Sequence, residues 1–176
     1  MKGILAAALL CGVVLLADAP RVNRLAVSQL EGQVDKLFAN GSSFTIEGNT
    51  RGVYLDGYGA VFTTMLSVPT KIPSPFNDFS KKDILAVRET KLKALPALRE
   101  RIQQSLLVMA SSPALDSVRP NEQVVCGVML FYYSWEDTHG LPREITMQAE
   151  KQKLLGVQNG RVPKTELASL LKVQEQ

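Results

Sequence analysis

A chain of 176 residues with 45% apolar and 21% charged side chains has globular composition, enough to bury a core and unlike a disordered tail or a fibre. Its 20 Lys and Arg against 17 Asp and Glu leave a formal charge of +3, and the two signs are interleaved. That pattern lacks the basic stripe of a nucleic-acid partner, and no nucleic acid is expected.

The first residues have the arrangement of an export signal. Lys2 supplies positive charge, Ile4 to Leu16 is an apolar run of about 13 residues, and small residues follow at Ala17 and Ala19. A helix needs roughly 20 residues to cross the hydrocarbon core. Residues 1–19 therefore read as a signal peptide, with 20–176 as a single exported domain, periplasmic or secreted. Ala17-Asp18-Ala19 fits the small-x-small rule but leaves Pro20 first, so cleavage after Ala17 is the other reading; a retained segment would tether the domain to a membrane. Cys11 follows Leu9-Leu10 rather than the small residue that precedes an acylated cysteine. Removing it leaves Cys126 without an intramolecular partner, inside the apolar run VVCGVMLFYY, where a buried small hydrophobe is expected.

From Pro20 to Ala39, Leu25, Leu30, Val34, Leu37 and Phe38 recur near helical spacing, and Asn40-Gly41 closes the element. Ser43 to Glu47 alternates as a short strand and Gly48-Asn49 reads as a turn. The next stretch, RGVYLDGYGAVFTTMLSV, reads as one long strand. Alternation then places Val53, Leu55, Gly57, Gly59 and Val61 on one face, with Tyr54, Asp56, Tyr58, Ala60 and Phe62 on the other. Missing side chains at Gly57 and Gly59 mark either a bulge or a shallow groove. The groove makes Tyr54, Asp56, Gly57, Tyr58 and Gly59 the candidate binding residues, suited to an apolar or sugar-like ligand or a peptide segment. Gly57-Tyr58-Gly59 is not a phosphate loop, because neither a further glycine nor a lysine follows and no helix begins there.

PTKIPSPFNDF is too rich in proline for helix or central strand and reads as a loop over that groove. Ser80 and Asp83 form a capping box for a long helix, whose apolar face carries Ile84, Leu85, Leu92, Leu95, Leu98, Ile102, Leu106 and Met109. Pro96 interrupts it, predicting one bent helix or two stacked ones. Its charges, among them Arg88, Lys91 and Arg99, read as a solvated face. Gln123 to Trp135 and Arg143 to Glu150 predict a hairpin with a loop of about seven residues, a turn follows near Lys151 to Leu155, and a last helix spans Lys164 to Leu171.

The order predicts an α+β fold: a small antiparallel four-stranded sheet packed by a long, Pro-kinked central helix, with flanking helices at both ends. Parallel pairing of the second and third strands across that helix is the mixed variant. No pattern for a cofactor or a metal is present. His139 is the only histidine and reads as a polar turn residue, and no serine stands in a nucleophile-elbow context. Arg51, Arg143 and Arg161 sit beside turns as solvated side chains. These features point to a non-enzymatic binding or assembly domain at the cell envelope, its partner an envelope protein or an extracellular ligand. The alternative is a small hydrolase of envelope or extracellular polymer, drawing on Glu47, Asp56, Glu136 and Asp137, with Asp56 and Asp137 as acid and base.

Overall fold

Asn23 opens the first element: its side chain accepts from the Leu25 and Ala26 amides, and helix α1 (Arg24–Ala39) runs to Asn40, whose N–H donates to the Lys36 carbonyl. The computed structural model describes residues 22–40, 44–70 and 80–176. The predicted export segment and most of the proline-rich loop lie outside the described residues.

Strand β1 (Thr45–Leu55) does not stop at Gly48-Asn49. It passes through them with two register shifts against β2 (Gly59–Ser67), so the expected turn is a bulge and the real turn comes at Asp56-Gly57-Tyr58. The single strand predicted from Arg51 onward is therefore two strands of a hairpin. Tyr58 N–H donates to the Leu55 carbonyl at 3.0 Å, and Gly57 has φ +75°, the left-handed position that a type II turn reserves for glycine. Gly59 has φ +136°, and a Cβ there would lie 1.9 Å from the Gln123 carbonyl oxygen. Its missing side chain admits the backbone of Gln123. Gly52 serves the core: a Cβ there would stand 2.5 Å from the Phe62 ring.

Helix α2 (Lys81–Ala110) begins at the predicted Ser80/Asp83 capping box and continues as one element through Pro96. Pro96 lies on the exposed side, where the carbonyl it leaves without a donor can be hydrated. The helix carries the chain back to β3 (Gln123–Leu130), which pairs in parallel with β2; β4 (Glu144–Glu150) then pairs antiparallel with β3. After α3 (Lys151–Gln158) and α4 (Leu167–Leu170), a short β5 (Lys172–Glu175) adds to β4. The sheet is thus mixed, through the parallel pairing of β2 and β3 that the variant reading allowed, and five-stranded rather than four-stranded, in the order β1-β2-β3-β4-β5. The fifth strand escaped the pattern because all four of its residues are exposed and KVQE has no apolar alternation.

One face of the sheet makes the core. Phe62 and Leu66 of β2, Val124, Cys126 and Val128 of β3, and Ile145 and Met147 of β4 meet Leu30, Val34 and Phe38 of α1 and Leu98, Ile102 and Leu106 of α2. Cys126 is a free, buried thiol, and burial pushes its pKa up to about 12. The opposite face, with Arg51, Val53, Thr63 and Met129 exposed, has no helix against it among the described residues.

The free edge of β1 is closed by α1. Glu31 accepts from Gly52 N–H at 2.8 Å, Arg24 donates to the Gly52 carbonyl at 3.1 Å, and Asp35 accepts from both the amide and the hydroxyl of Thr50. Side chains thereby occupy groups that a foreign strand could use.

Candidate binding site

The least expected geometry lies beyond Leu130. Gln123 to Trp135 was predicted as one strand, but pairing ends at Leu130, and residues 131–143 form a connection of 13 residues rather than seven. Phe131 and Tyr133 point outward, 37% and 44% exposed. Their rings meet edge to face at 5.1 Å, and Tyr133 stacks on Trp135 at 6.0 Å with 11° between planes. The three rings form a ledge at the end of the sheet, next to its open face.

Tyr132, between them, turns inward. Its hydroxyl donates to the Pro142 carbonyl at 2.7 Å, and Lys91 Nζ of α2 lies 4.8 Å from its ring centroid. Burial first, and the Glu136 carboxylate second, push the Tyr132 phenol up to about 12. Lys91 donates to Glu136 Oε2 in an ion pair whose side chains are 3% and 1% exposed. The expectation of a solvated Lys91 is therefore overturned: α2 extends past the end of the sheet, and the connection folds down upon it. Arg88, nearly one turn earlier, pairs with Asp137 at 3.1 Å. Asp137 also accepts from His139 N–H, and that bond does most to lower its carboxyl pKa. Two polar atoms of this cluster, Glu136 Oε1 and Arg88 Nε, are buried without a partner.

The cluster separates two depressions. A cleft of about 450 Å³ is lined by Phe131, Tyr133, Ser134, Glu136, Thr138 and Arg143, among others. A smaller one of about 170 Å³ is lined by Glu47, Ser67, Lys91, Tyr133 and neighbours. Tyr133 belongs to both, with Lys91 on one side and its partner Glu136 on the other. Arg143, expected to be merely solvated, helps form the larger cleft.

The residues selected from the sequence stand at the other end of the sheet and do not share one face. Tyr54 turns towards the core side and donates to both Glu122 oxygens, at 3.2 and 3.1 Å; burial first and Glu122 second raise its pKa. Asp56 lies on the turn, 3.2 Å from Arg119. Tyr58 bonds Gln148 at 3.2 Å on the open face, Gly57 faces empty space, and Gly59 abuts the Gln123 backbone. No glycine-floored groove results, because a turn replaces the strand on which it depended.

Among the four carboxylates considered for hydrolysis, Glu136 and Asp137 are neighbours and Glu47 lines the adjoining depression, where it accepts from Ser67 at 2.6 Å. Asp56 is not with them. It lies beyond the start of β3 and Asp137 beyond its end, a span of roughly 20 Å or more at strand rise. Acid and base of a glycosidase stand within about 10 Å.

Among the described residues no group of three or more His, Cys, Asp or Glu could hold a metal ion, and no helix is long and apolar enough to cross a membrane. No protein-family model, curated protein or solved structure matches the chain.

The site was missed because the aromatic run was absorbed into a strand. The available signal was Phe131, Tyr133 and Trp135 at every second position, running straight into Glu136-Asp137 and a turn.

Proposed function

We propose that this chain is an exported, non-enzymatic binding domain of the cell envelope, periplasmic or secreted, and that it makes contact through the Phe131/Tyr133 ledge and the cleft beside it. The observation that carries this reading is the ledge itself: two large rings stay exposed above a concave surface while the rest of the aromatic cluster is tied down. A concave surface in which aromatic rings meet converging polar groups, here Ser134, Glu136, Thr138 and Arg143, is a usual form of recognition site. Export rests on residues 1–19 of the sequence. The non-enzymatic character is supported by the state of the carboxylates, since Glu47, Glu136 and Asp137 are each held by a neighbouring side chain and Asp56 is remote.

The test is partner recovery from envelope extract by immobilised wild type, a Phe131→Ala/Tyr133→Ala variant and an Asp56→Ala/Tyr58→Ala variant of matched thermal stability. Recovery should fall with the ledge variant and persist with the turn variant. Equal recovery from the wild type and the ledge variant removes the ledge as the contact surface. Mass spectrometry of the exported protein tests the signal reading, which an intact Met1 in the membrane fraction would overturn.

A further inference from the structure

The buried Glu136 carboxylate is only half used. Lys91 holds Oε2, while Oε1 has no donor although the side chain is 1% exposed. Burying an acceptor unpaired costs on the order of 1–3 kcal/mol, a cost removed by any partner that brings a donor. Glu136 lines the 450 Å³ cleft, an opening beside this carboxylate from which a donor reaches Oε1 once the atoms covering it shift.

The remaining walls restrict what brings it. Arg143 stands in the same lining, while Lys91 and Arg88 behind Glu136 are already paired with Glu136 and Asp137; three cations against two carboxylates leave one net positive charge, which disfavours a cationic donor. An anionic group placed against ionised Glu136 meets a like charge and, where it carries no hydroxyl, offers no proton to share. Ser134 and Thr138 contribute hydroxyls, which both donate and accept, whereas Arg143 only donates and ionised Glu136 only accepts. A hydroxyl-bearing ligand satisfies every one of these groups, because each of its hydroxyls can donate to Glu136 or accept from Arg143. Phe131 and Tyr133 supply flat apolar surface for the C–H face of a sugar ring.

We propose that the cleft binds a neutral saccharide, one of whose hydroxyls donates to Glu136 Oε1 while its ring lies on the Phe131/Tyr133 ledge. This rests on the binding-domain reading above and names the ligand class of the same site.

Trp135 is the only tryptophan of the chain and stacks on Tyr133, so its fluorescence reports on the cleft. The full chain is titrated with chitotetraose, cellotetraose and xylotetraose. At least one should give a saturable change that does not depend on salt, as fits an uncharged ligand. Phe131→Ala, an exposed substitution that spares the ion pair, should weaken it by about tenfold, as Glu136→Gln should if it folds. Failure of all three sugars at millimolar concentration overturns the proposal, as does binding that Phe131→Ala leaves intact. If the sugars fail while the ledge variant still loses its partner from extract, the ligand is a protein: the binding-domain reading stands and the saccharide falls.

Discussion

Lys91 and Glu136, 45 residues apart in the chain, bury opposite charges against one another under the ring of Tyr132. This contact fastens the connection after β3 to the part of α2 that extends beyond the sheet, and so sets the position of the ledge.

Removing one partner strands the other charge. Lys91→Met alone, or Glu136→Gln alone, should therefore lower the unfolding free energy by about 3–5 kcal/mol, whereas Lys91→Met/Glu136→Leu together should recover most of that loss. Urea denaturation of the three variants decides it. A single substitution costing less than about 1 kcal/mol means the pair is hydrated in solution.

Gly57 and Gly59 lie two residues apart and should differ sharply. At Gly57 an added methyl meets open space and only the left-handed backbone is strained, at about 1–2 kcal/mol. At Gly59 the same methyl lies 1.9 Å from the Gln123 carbonyl oxygen, at the junction of β2 and β3. Gly59→Ala should cost at least about 3 kcal/mol, in the tail reserved for a named defect. Denaturation midpoints that agree for the two variants would contradict the close approach of β3.

Much of this fold was legible in the sequence, and what escaped it is instructive. Apolar spacing and caps are local signals, and they placed α1 and the start of α2 closely, with Ser80 and Asp83 in the predicted roles. The direction of pairing between β2 and β3 is not local: the 30-residue α2 returns the chain far enough for a parallel neighbour, and only core packing selects that arrangement. The alternation of RGVYLDGYG holds for the strand residues, since Val53 and Leu55 pair with Val61 and Gly59 on one face and Tyr54 with Ala60 on the other; what it does not announce is that Asp56, Gly57 and Tyr58 leave the strand as a turn. Lys91 looked solvated because nothing nearby in sequence announces Glu136. Burial of a charge is decided by its partner, and that partner lies in a distant connection.

Alkaline pH should destabilise the protein through two groups. The Cys126 thiol is pushed up to about 12 by burial and the Tyr132 phenol also to about 12, against ordinary values of 9.0 and 10.0. Between the ordinary and folded values the unfolded chain has lost these protons and the folded one keeps them, so stability is fully present below about pH 9 and falls as pH rises towards 12. Lys151 opposes this. Its ammonium, buried and donating to the Leu115 and Val118 carbonyls, has its pKa lowered chiefly by desolvation, so its own contribution rises as pH climbs towards 10.5. Urea midpoints measured from about pH 8 to 11 should decline, less steeply in Cys126→Ala and more steeply in Lys151→Met. A Cys126→Ala profile parallel to that of the wild type would show that the thiol ionises freely in the folded state.

Glu31 gives the sharpest test of how α1 protects β1. Its carboxylate is nearly buried, bonds Arg24 at 2.8 Å and lies 3.8 Å from Arg51, while the same oxygen that meets Arg24 also accepts the Gly52 amide. Glu31→Ala strands that amide on an outer strand and leaves two guanidinium groups without their counterion. The expected loss is about 2 kcal/mol and comes mainly from the charge-assisted bond of the Gly52 amide to a carboxylate that is 5% exposed, since Arg24 and Arg51 are themselves largely solvated. Global stability alone does not separate this role from simple packing, so the informative reading is hydrogen exchange at Gly52. In Glu31→Ala its amide should exchange much faster than those of Val53 and Leu55, while the Thr50 amide stays protected by Asp35. Asp35→Ala should give the reciprocal pattern. Uniform acceleration along the whole of β1 in either variant would mean that α1 holds the strand by apolar contact and that its carboxylates do not close the edge.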